Sequence, residues 1–172
     1  TRGDDLFPET SPMTEITLSD YCIDRLEVTN TEFAALLTEQ EDKGMVNMSD
    51  DGRILYDFMD DDDNIPERIE MGQFGGYEVS DGYEDHPVVE VYQWGAEFFC
   101  STRGKTLPTE AQWEKAARGP HHPHLWPWGQ DDPSCDVANI MLILGKTETE
   151  LCVGDTTVVG SYPDGASTYG VQ

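Results

Sequence analysis

The sequence is poor in positive charge. It has 10 lysines and arginines against 35 aspartates and glutamates, a formal net charge of −25. Phosphate recognition needs a basic face, so nucleic acid is excluded as a partner class, and an anionic membrane surface with it. No run approaches the roughly 18 apolar residues of a membrane helix, so no membrane insertion is expected. A signal-peptide pattern is also missing at Thr1, which does not read as a natural start. There is no C-x-x-C pair, which leaves structural zinc without support. The acidity itself has three readings: a self-repelling, solubilising surface, cation binding, or attraction of a basic protein or peptide partner.

What is present suits one domain with abundant turns: 172 residues, of which 26 are glycine or proline. Four cysteines stand at 22, 100, 135 and 152. Three connectivities are open. The pairing adopted is Cys22–Cys100 and Cys135–Cys152, the second closing a local loop and contributing about 3 kcal/mol by chain entropy. Disulfides place the chain in an oxidising, extracytoplasmic compartment: periplasm, exterior or cell surface. Four buried thiols in a reducing compartment are the alternative.

Two helix starts stand out. Thr29 and Glu32 are spaced as a capping box before Phe33, Leu36 and Leu37, whose i, i+3, i+4 relation predicts a helix over about 30–40. Thr109 and Gln112 repeat the box before Ala111, Trp113, Ala116 and Ala117. Glu110 favours that helix's first turn, Lys115 and Arg118 its last, and Gly119-Pro120 ends it. Between the two, Trp94, Phe98 and Phe99 predict a helix to about Cys100. Ile16, Leu18, Tyr21 and Ile23, and the run Pro87-Val88-Val89-Glu90-Val91, read as strands. Apolar pieces at 137–144 and 157–162 alternate with turns.

Residues 41–87 read as an irregular acidic insertion. An EF-hand starting at Asp60 would need glycine at its sixth position and glutamate at its twelfth; Ile65 and Met71 stand there, so it is excluded. The run Asp57–Asn64 is expected to be a solvated loop. His121, His122 and His124 lie between prolines that forbid a helical ligand face and read as a surface loop.

Six blocks then occur in a fixed order: Asp24-Arg25-Leu26-Glu27-Val28-Thr29-Asn30-Thr31-Glu32-Phe33; His86–Val91; Gly104–Gly119; Pro127-Trp128-Gly129; Ala138-Asn139-Ile140; and Val159–Val171. In that order they resemble the formylglycine-generating enzyme (sulfatase-modifying factor) family over nearly the whole chain. One departure is Tyr92-Gln93-Trp94, where the family has Ser-Trp. The resemblance implies an α+β fold, a C-type-lectin-like variant with small antiparallel sheets, two or three helices and long loops. By resemblance, residues 1–172 are a single incomplete domain of a bacterial, extracytoplasmic type.

In the family's enzymes a later cysteine pair binds copper(I) and oxidises a cysteine in a Cys-x-Pro-x-Arg segment to formylglycine; thiolates suit that soft ion. That pair is expected beyond Gln172, so no residue here is assigned as catalytic and copper enters only with it. A family calcium site maps onto the Asn139 side chain and the Ile140 carbonyl, with Glu150 and Asp155 flanking the place of a further carboxylate. Cys135–Cys152 is an alternative clamp there. Three functions follow from the resemblance: a sulfatase-modifying oxidase whose 1–172 part is inert alone, a non-catalytic lectin-like binding or scaffold module, or an accessory domain of an iron-dependent sulfoxide synthase. The disulfides weigh against the third.

Overall fold

The computed structural model describes residues 15–56, 68–119, 125–144 and 148–172. The acidic run 57–64 and His121, His122 and His124 lie outside them. The elements are helices α1 (Asn30–Asp42), α2 (Gln93–Thr102) and α3 (Glu110–Arg118), and strands β1 (Ile69–Met71), β2 (Tyr77–Val79), β3 (Met141–Leu144) and β4 (Glu148–Leu151). β1 pairs antiparallel with β2, and β3 with β4, in two separate two-stranded sheets. The α+β character expected from the resemblance is therefore present. None of the helices is long and apolar enough to cross a membrane among the described residues.

The chain divides into two compact units. The first comprises 1–26, 108–154 and 160–172; the second comprises 27–107 and 155–159.

The second unit holds the main hydrophobic core. Its α1 starts at the expected capping box: Glu32 N–H donates to Thr29 Oγ1 at 3.2 Å, and Thr29 N–H donates to Glu32 Oε2 at 3.0 Å. Phe33, Leu36 and Leu37 are buried as their spacing requires, and they join Ala34, Leu55, Tyr56, Ile69, Tyr77 and Phe99. Phe33 lies near-parallel to Phe99, with ring centroids 5.6 Å apart. Each large apolar side chain contributes about 1.5–3 kcal/mol by leaving water.

Four of these core residues, Leu55, Tyr56, Ile69 and Tyr77, come from the stretch expected to be an insertion. Asn47 explains how the chain gets there. It adopts φ 48°, a left-handed conformation that asparagine tolerates better than most. Its side chain then mimics a strand partner: Asn47 Nδ2 donates to the Tyr56 carbonyl at 2.7 Å, and Tyr56 N–H donates to Asn47 Oδ1 at 3.0 Å. The β1–β2 hairpin is tied to α1, since Gly76 N–H donates to Glu41 Oε2 at 2.6 Å and Tyr77 N–H to Thr38 Oγ1 at 2.9 Å.

The run Pro87–Val91 is not a strand. It makes isolated bridges, Thr29 with Pro87 and Tyr56 with Val91. The reason lies between them: Glu90 sits at φ 58°, which breaks the extended run. Residues 15–24 also form no ladder. They keep the alternation, with Ile16, Leu18, Tyr21 and Ile23 half-buried, but no described strand pairs with them.

Gln40 is fully buried in this unit, and among the described residues neither its Nε2 nor its Oε1 has a hydrogen-bond partner. A buried amide left unsatisfied costs about 1–3 kcal/mol. Gln40→Met should therefore raise stability by about 1–2 kcal/mol in urea unfolding, since it removes that cost at similar volume. A lower midpoint would mean that the amide is contributing to the fold.

In the first unit α3 uses the second capping box: Gln112 N–H donates to Thr109 Oγ1 at 3.3 Å and Thr109 N–H to Gln112 Oε1 at 2.9 Å. The helix ends at Gly119, φ 79°. Ala116 is a buried apolar side chain of this unit. Gly165 lies so close to the Val137 carbonyl that a Cβ there would overlap its oxygen.

Candidate functional site

The β3–β4 hairpin carries the residues that the resemblance assigns to metal and to the clamp. β3 and β4 pair with Met141 opposite Leu151, and the ladder runs one step further, with Cys152 N–H donating to the Ile140 carbonyl at 3.0 Å. Pro133-Ser134 turns the chain into this hairpin, with Val137 N–H donating to Ser134 O at 3.2 Å. That turn brings Cys135 beside Cys152, with 5.2 Å between their Cα atoms, and the two are disulfide-bonded. The expected local clamp is present.

The other expected disulfide is not. Cys22 is an exposed thiol and Cys100 a half-buried one. Cys22 belongs to the first unit and Cys100, on α2, to the second. Sequence spacing alone could not reveal that division.

Asn139 is exposed, and Ile140 offers a carbonyl already accepting in the ladder. Calcium takes about six to eight oxygens. Glu150 is exposed on β4 opposite Leu142, and Asp155 belongs to the second unit. Among the described residues no three His, Cys, Asp or Glu side chains converge as a metal site.

Asp155 has other work. Arg68 Nη2 reaches Asp155 Oδ2 at 2.8 Å, and the Tyr83 hydroxyl donates to the same oxygen at 2.7 Å. The Arg68 guanidinium lies 3.7 Å from the Tyr83 ring centroid. His86 Nδ1 is 2.8 Å from Thr156 Oγ1, and Val159 N–H donates to the Asp85 carbonyl at 2.9 Å. These groups fasten 155–159 to the body of the second unit. No motif marked Arg68 or Tyr83, which lie far from Asp155 in sequence.

The Tyr83 hydroxyl, then the Thr156 backbone N–H and Arg68, hold the Asp155 carboxyl below its ordinary value; partial burial opposes them. The same hydrogen bond pushes the Tyr83 hydroxyl up. A depressed carboxyl pKa contributes stability that is complete above the unfolded value of about 3.9 and is lost as pH falls through the folded value. Asp155→Asn should therefore lower the urea midpoint at pH 7, and the gap to the parent should close as pH drops below about 4. An equal gap at all pH values would assign the loss to something other than charge.

The first unit also contains a cleft of about 350 Å³ beside α3. Tyr21, from the opening block, closes on the signature helix there: its hydroxyl donates to the Gln112 carbonyl at 2.8 Å. The Lys115 ammonium stands 5.8 Å from the Tyr21 ring centroid. Burial, then the neighbouring Tyr169, pushes the Tyr21 hydroxyl's pKa up, so it remains a donor at neutral pH.

Comparison with known proteins agrees with the six ordered blocks. The family described as sulfatase-modifying factor enzyme 1-like domain matches residues 1–172. A protein named serine/threonine-protein kinase pkn1, from Chlamydia caviae, is 31% identical over 93% of this chain and 22% of its own length. A formylglycine-generating enzyme from Thermomonospora curvata is 31% identical over 74% of this chain and 47% of its own. A hercynine oxygenase from Mycolicibacterium smegmatis is 29% identical over 94% of this chain and 36% of its own. The chain thus spans less than half the length of these relatives. With the match running from first residue to last, and with both capping boxes and the three helices in place, this chain belongs to the sulfatase-modifying factor enzyme family.

Proposed function

We propose that residues 1–172 serve as the framework of a sulfatase-modifying-type oxidase, holding a target peptide while leaving its cysteine unoxidised when acting alone. The disposition of sulfur carries this reading: one disulfide, Cys135–Cys152, and two thiols divided between the units. Copper(I) chemistry on a cysteine substrate needs a thiolate pair, which the resemblance expects outside residues 1–172. The similarity to the formylglycine-generating enzyme of Thermomonospora curvata supports the assignment of substrate class. The disulfide supports an oxidising, extracytoplasmic setting.

The test is incubation of this chain with a Cys-x-Pro-x-Arg peptide, copper(I) and oxygen, followed by hydrazide trapping. The expected result is saturable peptide binding without aldehyde. Trapped aldehyde would overturn the inert-alone reading. A second reading is a non-catalytic binding module. It is favoured by the kinase-named relative, in which a region similar to 93% of this chain occupies 22% of the protein. Equal binding of the target peptide and a scrambled one would select that second reading.

A further inference from the structure

The cleft beside α3 combines groups that rarely share one small space. Ile23 and the buried Ala116 give it an apolar lining, and Tyr21 and Tyr169 add two phenol rings. Asp20 and Lys115 line it as well, and they close no ion pair on each other. Its volume of about 350 Å³ lies at the small end of ligand sites. Tyr21 is fixed by its bond to the Gln112 carbonyl, so one wall is preorganised, and the Lys115 ammonium stands 5.8 Å from its ring centroid.

Charge decides what fits. A simple anion would meet Lys115 but would also meet the field of a chain carrying −25. A simple cation would meet Asp20 but would place a second positive charge near Lys115. A ligand bearing both charges satisfies each group and leaves the net field indifferent. The two rings and the aliphatic lining then select an apolar or aromatic side chain.

We infer that this cleft is a binding site for a small zwitterion with an aromatic side chain, that is, an aromatic amino acid, with Lys115 receiving its carboxylate and Asp20 its ammonium. Cys22 lies between two of the lining residues but is not among them, and no residue of the β3–β4 hairpin lines the cleft, so the inference goes beyond the framework reading and does not depend on it.

The experiment is titration of the full chain by calorimetry with L-phenylalanine, 3-phenylpropionate, which lacks the ammonium, and phenethylamine, which lacks the carboxylate. L-Phenylalanine should saturate and bind more tightly than either. Lys115→Met should weaken phenylalanine and phenylpropionate about tenfold and spare phenethylamine. Asp20→Asn should weaken phenylalanine and phenethylamine and spare phenylpropionate. Circular dichroism checks that each variant folds, and Lys115→Gln replaces Lys115→Met if the latter does not. Absence of saturation by phenylalanine, or identical responses of all three compounds to both substitutions, overturns the inference.

Discussion

Phe33→Ala should cost about 3–5 kcal/mol, enough to remove most of the cooperative unfolding transition of a marginally stable domain. Phe33 is essentially inaccessible to solvent and stands between two aromatic neighbours, near-parallel to Phe99 and tilted at 40° to Tyr56 with centroids 6.0 Å apart. Truncation would empty a space bounded by α1, α2 and the 55–56 segment. Phe99 is capped on its other side by the Arg103 guanidinium, 3.5 Å from the ring centroid, which leaves it little freedom to collapse into the gap. Chemical unfolding followed by near-ultraviolet dichroism would check this. A loss below about 1 kcal/mol would mean that the aromatic stack repacks without it.

Gly95→Ala should also be damaging, for a different reason. Gly95 lies in the first turn of α2, and its conformation is ordinary helix. The constraint is space: a Cβ would overlap the Leu55 carbonyl oxygen and stand 3.0 Å from the Leu55 carbonyl carbon. Both are main-chain atoms and cannot rotate aside. The same contact is anchored next door, where Trp94 Nε1 donates to the Ile54 carbonyl. Alanine is the better helix former by up to about 1 kcal/mol. That gain is outweighed if α2 must back away from the 54–55 segment, so a loss of about 1–3 kcal/mol is expected. Stabilisation by Gly95→Ala would show that the helix can shift at no cost.

Local signals were the legible ones. Both capping boxes, the Gly119 stop and the buried face of α1 follow from residues within a few positions of each other. The Cys135–Cys152 bond is similarly local. Long-range facts were illegible. The 41–87 stretch looks like an insertion because its charge and glycine obscure Leu55, Tyr56, Ile69 and Tyr77, which become core once Asn47 turns the chain. Pro87–Val91 has the composition of a strand, and nothing in it announces that Glu90 will turn left-handed. Cys22 and Cys100 looked like a pair until the division of the chain assigned them to different bodies. At the cleft, the sequence marked Tyr21 and Lys115 as parts of separate blocks; only folding brings them together.

The way the chain is shared between the two units has a consequence for its synthesis. The second unit is one uninterrupted stretch, 27–107, completed by five residues from 155–159. All nine of its core residues have left the ribosome once Phe99 has emerged, so its core can condense while the rest is still being made. Residues 15–26 belong to the other unit, whose further segments in 108–154 and 160–172 emerge only after 27–107. A stretch made before the second unit's core is therefore completed only after it. During that interval Cys22 is an accessible thiol, and Cys135 and Cys152 emerge after it. The thiol that emerges first is thus not one of the pair that bonds.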